Sequence, residues 1–181
     1  MTEKMENKGV KEEDEELEYF DSMGFFKGTA KREHIHNTGL WHKGVHVWLF
    51  NSKGKLFLKK RAKYKKLHPM HWEDVGEHLK PNEDFEKAAM RGLKEELGID
   101  EKKIKRLYKV YWTKMQFGND HELIELWFCI YDGPIKENEE SFGGRFFSIE
   151  EIKAMIKNRE PFTPWFKELF YWCIKEGKWP M

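Results

Sequence analysis

The chain has 181 residues, with 33 Lys and Arg against 32 Asp and Glu, a formal net charge of +1. That length suits one compact domain with a real core. The balanced charge argues against bulk electrostatic binding to nucleic acid or to a membrane.

Charged residues make up 36% of the chain and the only glutamine is Gln116, a composition that points toward a thermophilic source. The 15% aromatic content predicts an aromatic-rich core or pocket. Cys129 and Cys173 lie far apart in apolar surroundings and form no CxxC pair. They read as buried thiols in a reducing cytosol rather than as a metal or redox motif. No apolar run approaches the length of a membrane span, and the start is charged rather than signal-like, so a cytoplasmic protein is expected.

In chain order, residues 1–16 are dominated by Lys and Glu and are expected to fray, with a single domain over 17–181. Strand character begins at 17–20. Residues 44–51 alternate, with Val45, Val47 and Leu49 on one face and His46, Trp48 and Phe50 on the other, as a strand does. The turn 51–54 leads to a returning strand over 55–61. Residues 62–79, with Pro69, Trp72 and Gly76, read as a loop. From 83 to 97 the period becomes helical, with Phe85, Ala89, Leu93 and Leu97 as the apolar stripe and Gly98 as the C-terminal stop. Strands are expected over 104–116, 122–131 and 145–147. Ser148 and Glu151 form a capping box that opens a helix to about 157. Thr163 and Pro164 suit the N-cap and first turn of a last helix to about 175. Strands interleaved with helices give an α/β or α+β layered domain.

The helix over 83–97 carries the candidate chemistry. Glu95 and Glu96 lie three and four residues beyond Gly92, so the three positions share a face. Adjacent carboxylates near a helix C-terminus repel one another and oppose the dipole. A hard cation resolves both problems, since Mg²⁺ takes a few carboxylates and fills its octahedron with water or phosphate oxygens. For an isolated Glu-Glu pair, a solvated charged face is the commoner explanation.

The spacing from Glu83 through Arg91, Leu93, Glu95, Glu96 and Gly98 to Ile99 resembles the Nudix box, G-x5-E-x7-R-E-U-x-E-E-x-G-U, with U a bulky aliphatic. Two positions depart from it: Glu77 stands for the first Gly, and Gly92 for the Glu after Arg. The resemblance extends from about Phe20 to Trp172 and is strongest to the branch that contains type I isopentenyl diphosphate isomerases and their hydrolase relatives. It implies a Nudix-type α/β/α sandwich with a mixed sheet and C-terminal helices. Glu83 and Arg91 are then a bracing ion pair, and Glu95 and Glu96 ligands of Mg²⁺ or Mn²⁺. A second divalent metal such as Zn²⁺ is implied at His36 (or His34), His42, His78, Asp120 and Glu122.

By the same resemblance, Arg61 and Lys65 contact a diphosphate, a suitable task for a guanidinium fork and an ammonium. Trp165 faces substrate, as a ring face that stabilises cationic charge; packing of the last helix is the competing explanation. The isomerases carry a cysteine at the position of Gly76 and an Arg at that of Gly92, so the chain departs from both chemistries.

The leading expectation is a metal-dependent hydrolase of a small-molecule diphosphate, nucleotide or otherwise. Glu95, Glu96 and Glu122 are the catalytic candidates, with Glu122, Glu77 or His78 replacing the missing base. The alternatives are an isomerase of a five-carbon diphosphate using Glu122 and Tyr111, and a diphosphate-binding module without turnover. Specificity is expected from residues 63–72, 115–119 and 137–142. No nucleic-acid or membrane partner is expected, and the oligomeric state stays open, a homodimer included. A carboxylate restored by Gly92→Glu is expected to add an acid on the face of Glu95 and Glu96 without loss of stability.

Overall fold

The computed structural model describes residues 14–139 and 141–180. In chain order the elements are β1 (Glu16–Phe20), β2 (Phe26–Lys31), α1 (Arg32–Thr38), β3 (Trp41–Phe50), β4 (Leu56–Arg61), β5 (Trp72–Glu73), β6 (Val75–His78), α2 (Phe85–Leu97), β7 (Arg106–Phe117), β8 (Asp120–Ile130), β9 (Ser141–Phe147), α3 (Ile149–Lys157) and α4 (Pro164–Lys175).

The strands form one mixed sheet. Strand β3 is its hub. It runs parallel to β8 from Trp41↔His121 to Phe50↔Ile130, and antiparallel to β6 from Gly44↔His78 to Val47↔Val75. The β7–β8 and β4–β9 pairs are antiparallel. Helix α2 covers one face of the sheet: Val45, Val47, Leu49 and Val75 pack with Ala89, Leu93 and Leu97. On the other face Trp48, Phe50, Leu126 and Phe128 pack with Ile152 of α3 and Phe166 and Phe170 of α4. This is the expected α/β/α sandwich. It explains why both phases of the β3 alternation are buried, since each looks at a helix layer. Each fully buried Leu, such as Leu93 or Leu97, contributes roughly 1.5–3 kcal/mol.

Local signals set the helix ends. Asp84 caps α2 by accepting from Lys87 N at 2.8 Å, and Gly98 closes it in the left-handed region at φ 59°. The Ser148–Glu151 capping box is present in both directions. Thr163 is at the N-cap of α4 with Pro164 behind it, but its hydroxyl makes no capping bond.

Three stretches differ from the sequence expectation. Residues 62–79 are not one loop, because β5 and β6 fall within them. Both are short, and β6 presents Gly76, Glu77 and His78 where an apolar phase would have announced a strand. Between residues 21 and 43, β2 and α1 were not anticipated: β2 is mostly exposed, and α1 buries only Ile35. Residues 1–13 of the charged segment lie outside the described residues. The rest of it is held: Arg32 N donates to Glu15 O at 2.7 Å and Glu16 opens β1.

Candidate active site

A cavity of about 780 Å³ opens where the ends of β3, β6 and β8 meet the C-terminal half of α2. Glu95 and Glu96 both line it. They differ in environment: Glu95 is half exposed, whereas Glu96 is only 4% exposed. One Glu96 oxygen lies 2.8 Å from Lys59 Nζ, and that ammonium also donates to Glu73 Oε1 at 2.8 Å. The Glu96 and Glu73 carboxylates hold the Lys59 ammonium above its ordinary range although burial works against the charge. Burial, with Glu77 and Glu73 adding to it, pushes Glu96 up to about 8 while Lys59 pulls the other way. Lys59 is thus an internal counter-ion for two acids, and the sequence reading missed it. A signal was present, because Lys59 shares the β4 phase of Phe57, which packs in the core beneath α2.

Arg91 is the brace that the box spacing predicts. Its Nε donates to Glu83 Oε1 and its Nη2 to Glu83 Oε2, both at 2.9 Å. Nη1 donates to Glu77 Oε2 at 2.7 Å, and Nη2 also donates to the carbonyl of His78 at 2.8 Å. One guanidinium therefore ties α2 to β6 and to the turn before the helix.

The expected histidine–acid group converges. His36, His42 and His78 offer nitrogen atoms that lie within 4.8 Å of one another, as do the ligand atoms of His42, Asp120 and Glu122. His36 Nε2 is 3.3 Å from His42 Nε2, His42 Nε2 is 3.6 Å from Asp120 Oδ1, and His78 Nε2 is 3.7 Å from Glu122 Oε1. His36, not His34, is the member from α1. The β3–β8 register sets His42 directly opposite Glu122. Gly44 makes room, since a Cβ there would lie 2.7 Å from Glu122 Oε2.

The group has the character of a cation site. Burial, with the His78 ring adding to it, pushes His42 down to about 3, so its imidazole is neutral. Its Nδ1 lies 3.1 Å from the Leu40 carbonyl, which accepts from it and leaves Nε2 with the lone pair. Burial and the adjacent Glu122 push Asp120 up to about 8. Asp120 Oδ1 is buried without a hydrogen-bond partner. Crowded acids, the neutral His42 imidazole and an orphaned carboxylate oxygen fit a divalent metal with mixed N/O ligands.

Arg61, Lys65 and Trp165 also line the cavity. Arg61 is anchored to Glu73 Oε2 at 2.5 Å and to the Leu67 carbonyl at 3.1 Å, and it sits 5.9 Å from the Trp165 ring centre. Tyr111, considered for proton transfer, is elsewhere: it stacks on Trp172 of α4 at 3.7 Å, outside this cavity. Cys129 and Cys173 are buried away from the cavity, and burial pushes both thiols up to about 12. A second unanticipated feature is His46, whose Nδ1 lies 2.9 Å from Asp74 Oδ2; Trp48 Nε1 donates to the same oxygen at 2.8 Å. Its ring is 3.5 Å from where a Cβ on Gly76 would stand.

Residues 40–166 match the family model described as the NUDIX domain. The chain belongs to the Nudix family. Among curated relatives, a Photorhabdus laumondii protein named isopentenyl-diphosphate Delta-isomerase 1 is 35% identical over 70% of this chain and 76% of its own length. An uncharacterised Nudix hydrolase of Listeria monocytogenes is 32% identical over 83% of this chain and 90% of its own length. Among solved structures, a Deinococcus radiodurans protein aligns with a TM-score of 0.76 at 21% identity, covering 88% of this chain and 99% of that one. The Nudix domain of Shewanella oneidensis NrtR, crystallised with ADP-ribose, aligns with a TM-score of 0.59 at 10% identity, over 75% and 88% of the two chains. These structures share the Nudix fold.

Proposed function

We propose that this Nudix protein is a metal-dependent hydrolase of a diphosphate linkage in a small molecule. The observation that carries the reading is the gathering, in one cavity, of the box carboxylates Glu95 and Glu96, the acid–histidine group and the cationic Arg61 and Lys65. Glu95 and Glu96 would hold Mg²⁺ or Mn²⁺, and His36, His42, His78, Asp120 and Glu122 a second divalent ion such as Zn²⁺ or Mn²⁺. Bound there, such ions offset phosphate charge and lower the pKa of water.

The chain's own groups do the rest. Arg61, fixed by Glu73, presents cationic charge to the diphosphate, and Lys65 adds a second positive group. Lys59 keeps Glu96 oriented at the cavity floor. Hydrolysis joins a water oxygen to phosphorus while the bridging P–O bond breaks. The water's proton passes to a cavity group, and Glu122, Glu77 and His78 are all placed on its wall.

An isomerase of a five-carbon diphosphate is the second reading, favoured by the complete histidine–acid group and by Trp165 in the cavity wall. Gly76 and the remote cysteines and Tyr111 weigh against it.

The test is a panel of nucleoside and non-nucleoside diphosphates, ADP-ribose included, with Mg²⁺ or Mn²⁺ and phosphatase-coupled phosphate release. Turnover of at least one compound is expected, falling on the order of a hundredfold in Glu96→Gln. Absence of hydrolysis across the panel with tight binding retained makes the protein a binding module. Double-bond migration in a five-carbon diphosphate makes it an isomerase.

A further inference from the structure

The two departures from the Nudix box occupy one place. A Cβ built on Gly92 would stand 2.6 Å from Glu77 Cγ, 3.2 Å from Val75 Cγ1 and 3.6 Å from Glu77 Cδ. The stem of Glu77, delivered from β6, therefore lies where a side chain at position 92 would begin. Any residue other than glycine at 92 would have to displace it.

The carboxylate thus delivered is the right kind of group in the right company. Glu77 lines the cavity with Glu95 and Glu96. Its Oε2 is 2.7 Å from Arg91 Nη1, and that nitrogen is 3.6 Å from Glu95 Oε2, so one guanidinium edge orders both acids. Glu77 sits opposite Val45 in the β3–β6 register, which aims its side chain at α2 rather than at α4.

We propose that Glu77 and Gly92 are a reciprocal exchange. The acid expected on the helix at 92 is supplied from the strand at 77, and Glu77 is the third carboxylate facing the metal–diphosphate group beside Glu95 and Glu96. The exchange rests on the diphosphate-hydrolase reading for the identity of the ligand, but not for its geometry. It accounts for both departures at once: the glycine at 92 is the space that the glutamate at 77 needs. It also corrects the expectation for Gly92→Glu. That side chain alone does not add a third acid but evicts the one already there.

The test uses the full chain and its Glu77→Gln, Glu77→Gly, Gly92→Glu and Glu77→Gly/Gly92→Glu variants. Affinity for Mg²⁺ with methylenediphosphonate, a diphosphate that is not hydrolysed at its bridge, is measured by calorimetry, with thermal melting alongside. Glu77→Gln, which keeps the volume and an acceptor for Arg91, is expected to weaken binding about tenfold or more. Gly92→Glu is expected to lower Tm and to bind no better than the parent. The double exchange should recover both, with affinity within about threefold of the parent.

The proposal is overturned if Glu77→Gln and Glu77→Gly bind as the parent does and lose only thermal stability, because Glu77 is then a strut for Arg91. It is also overturned if the double exchange fails to recover what Glu77→Gly lost while folding normally, or if the parent does not bind the probe. If the affinities follow the expected order but no variant hydrolyses any diphosphate, the exchange stands and the hydrolase reading falls.

Discussion

Arg91→Met is the perturbation for which the structure yields the clearest magnitude. The substitution keeps most of the apolar stem and removes the guanidinium. Four donated hydrogen bonds disappear: two to Glu83, one to Glu77 and one to the His78 carbonyl. Glu83 keeps one partner, the backbone N–H of Lys80 at 2.9 Å. The Glu77 carboxyl, already raised by burial, loses the cation that opposes the rise. Charge-assisted bonds are worth about 1.5–3 kcal/mol each but do not add within one network. Removal of one partner from a buried ion pair costs about 3–5 kcal/mol, and Arg91 is only partly exposed, which places the loss near the lower end, about 3 kcal/mol. For a domain of this size that is a Tm decrease of about 6–12 °C. Urea melts of Arg91→Met, Glu83→Gln and the double variant give the coupling directly, expected at about 1–3 kcal/mol. A loss below about 1 kcal/mol for Arg91→Met, with additive behaviour in the double variant, would refute the bracing role.

Two further outcomes follow from the site. Titration with Co²⁺ should produce d–d absorption bands from a mixed N/O site, and Asp120→Asn should weaken that binding about 10–100-fold; an unchanged spectrum and affinity would remove Asp120 from the ligand set. The second concerns pH. Burial alone would lower His46, but Asp74 outweighs it and raises the imidazole from 6.5 to about 9. Because the folded state holds this proton more tightly than the unfolded chain, the pair's contribution is complete below about pH 6.5 and is lost as pH rises through about 9. Melts from pH 6 to 10 should show a decline on the order of 2–3 kcal/mol across that window, absent in His46→Asn. Equal slopes in the two proteins would sink the assignment.

The parts of the fold that were readable from sequence are those in which one physical signal dominates. The α2 stripe of Phe85, Ala89, Leu93 and Leu97, ended by Gly98, and the β3 alternation belong to this class. Strands β5 and β6 were hidden because each gives one residue to the core, Trp72 and Val75, while Glu73, Gly76, Glu77 and His78 line the cavity, so no apolar phase marks them. Helix α1 was hidden for the same reason: it buries Ile35 alone and spends His36 on the cluster.

At the site, the acids and histidines were legible from a resemblance to the Nudix box and its neighbouring motifs. Their partners were not, since Lys59–Glu96 and His46–Asp74 join residues 37 and 28 positions apart and depend on the sheet to meet. The Glu77–Gly92 contact was concealed in a different way. Each residue alone looked like a loss, and only the 2.6 Å between Glu77 Cγ and the place where a Cβ on Gly92 would stand shows that Glu77 takes up that space.

The parallel ladder between β3 and β8 makes ligand geometry a measure of strand alignment. His42 and Glu122 face each other only in the present register, and a slip of one residue would turn one of them to the opposite face of the sheet. The two strands are 80 positions apart at that pair, so the chain must close a long loop before either residue finds the other. A metal that requires both therefore recognises molecules whose central pairing is correct and gives nothing to those that are offset. A divalent ion held by the histidine–acid group would act as a check on the hub strand, and insertions in the hairpin after β3 should be far better tolerated than a single deletion between Trp41 and Gly44.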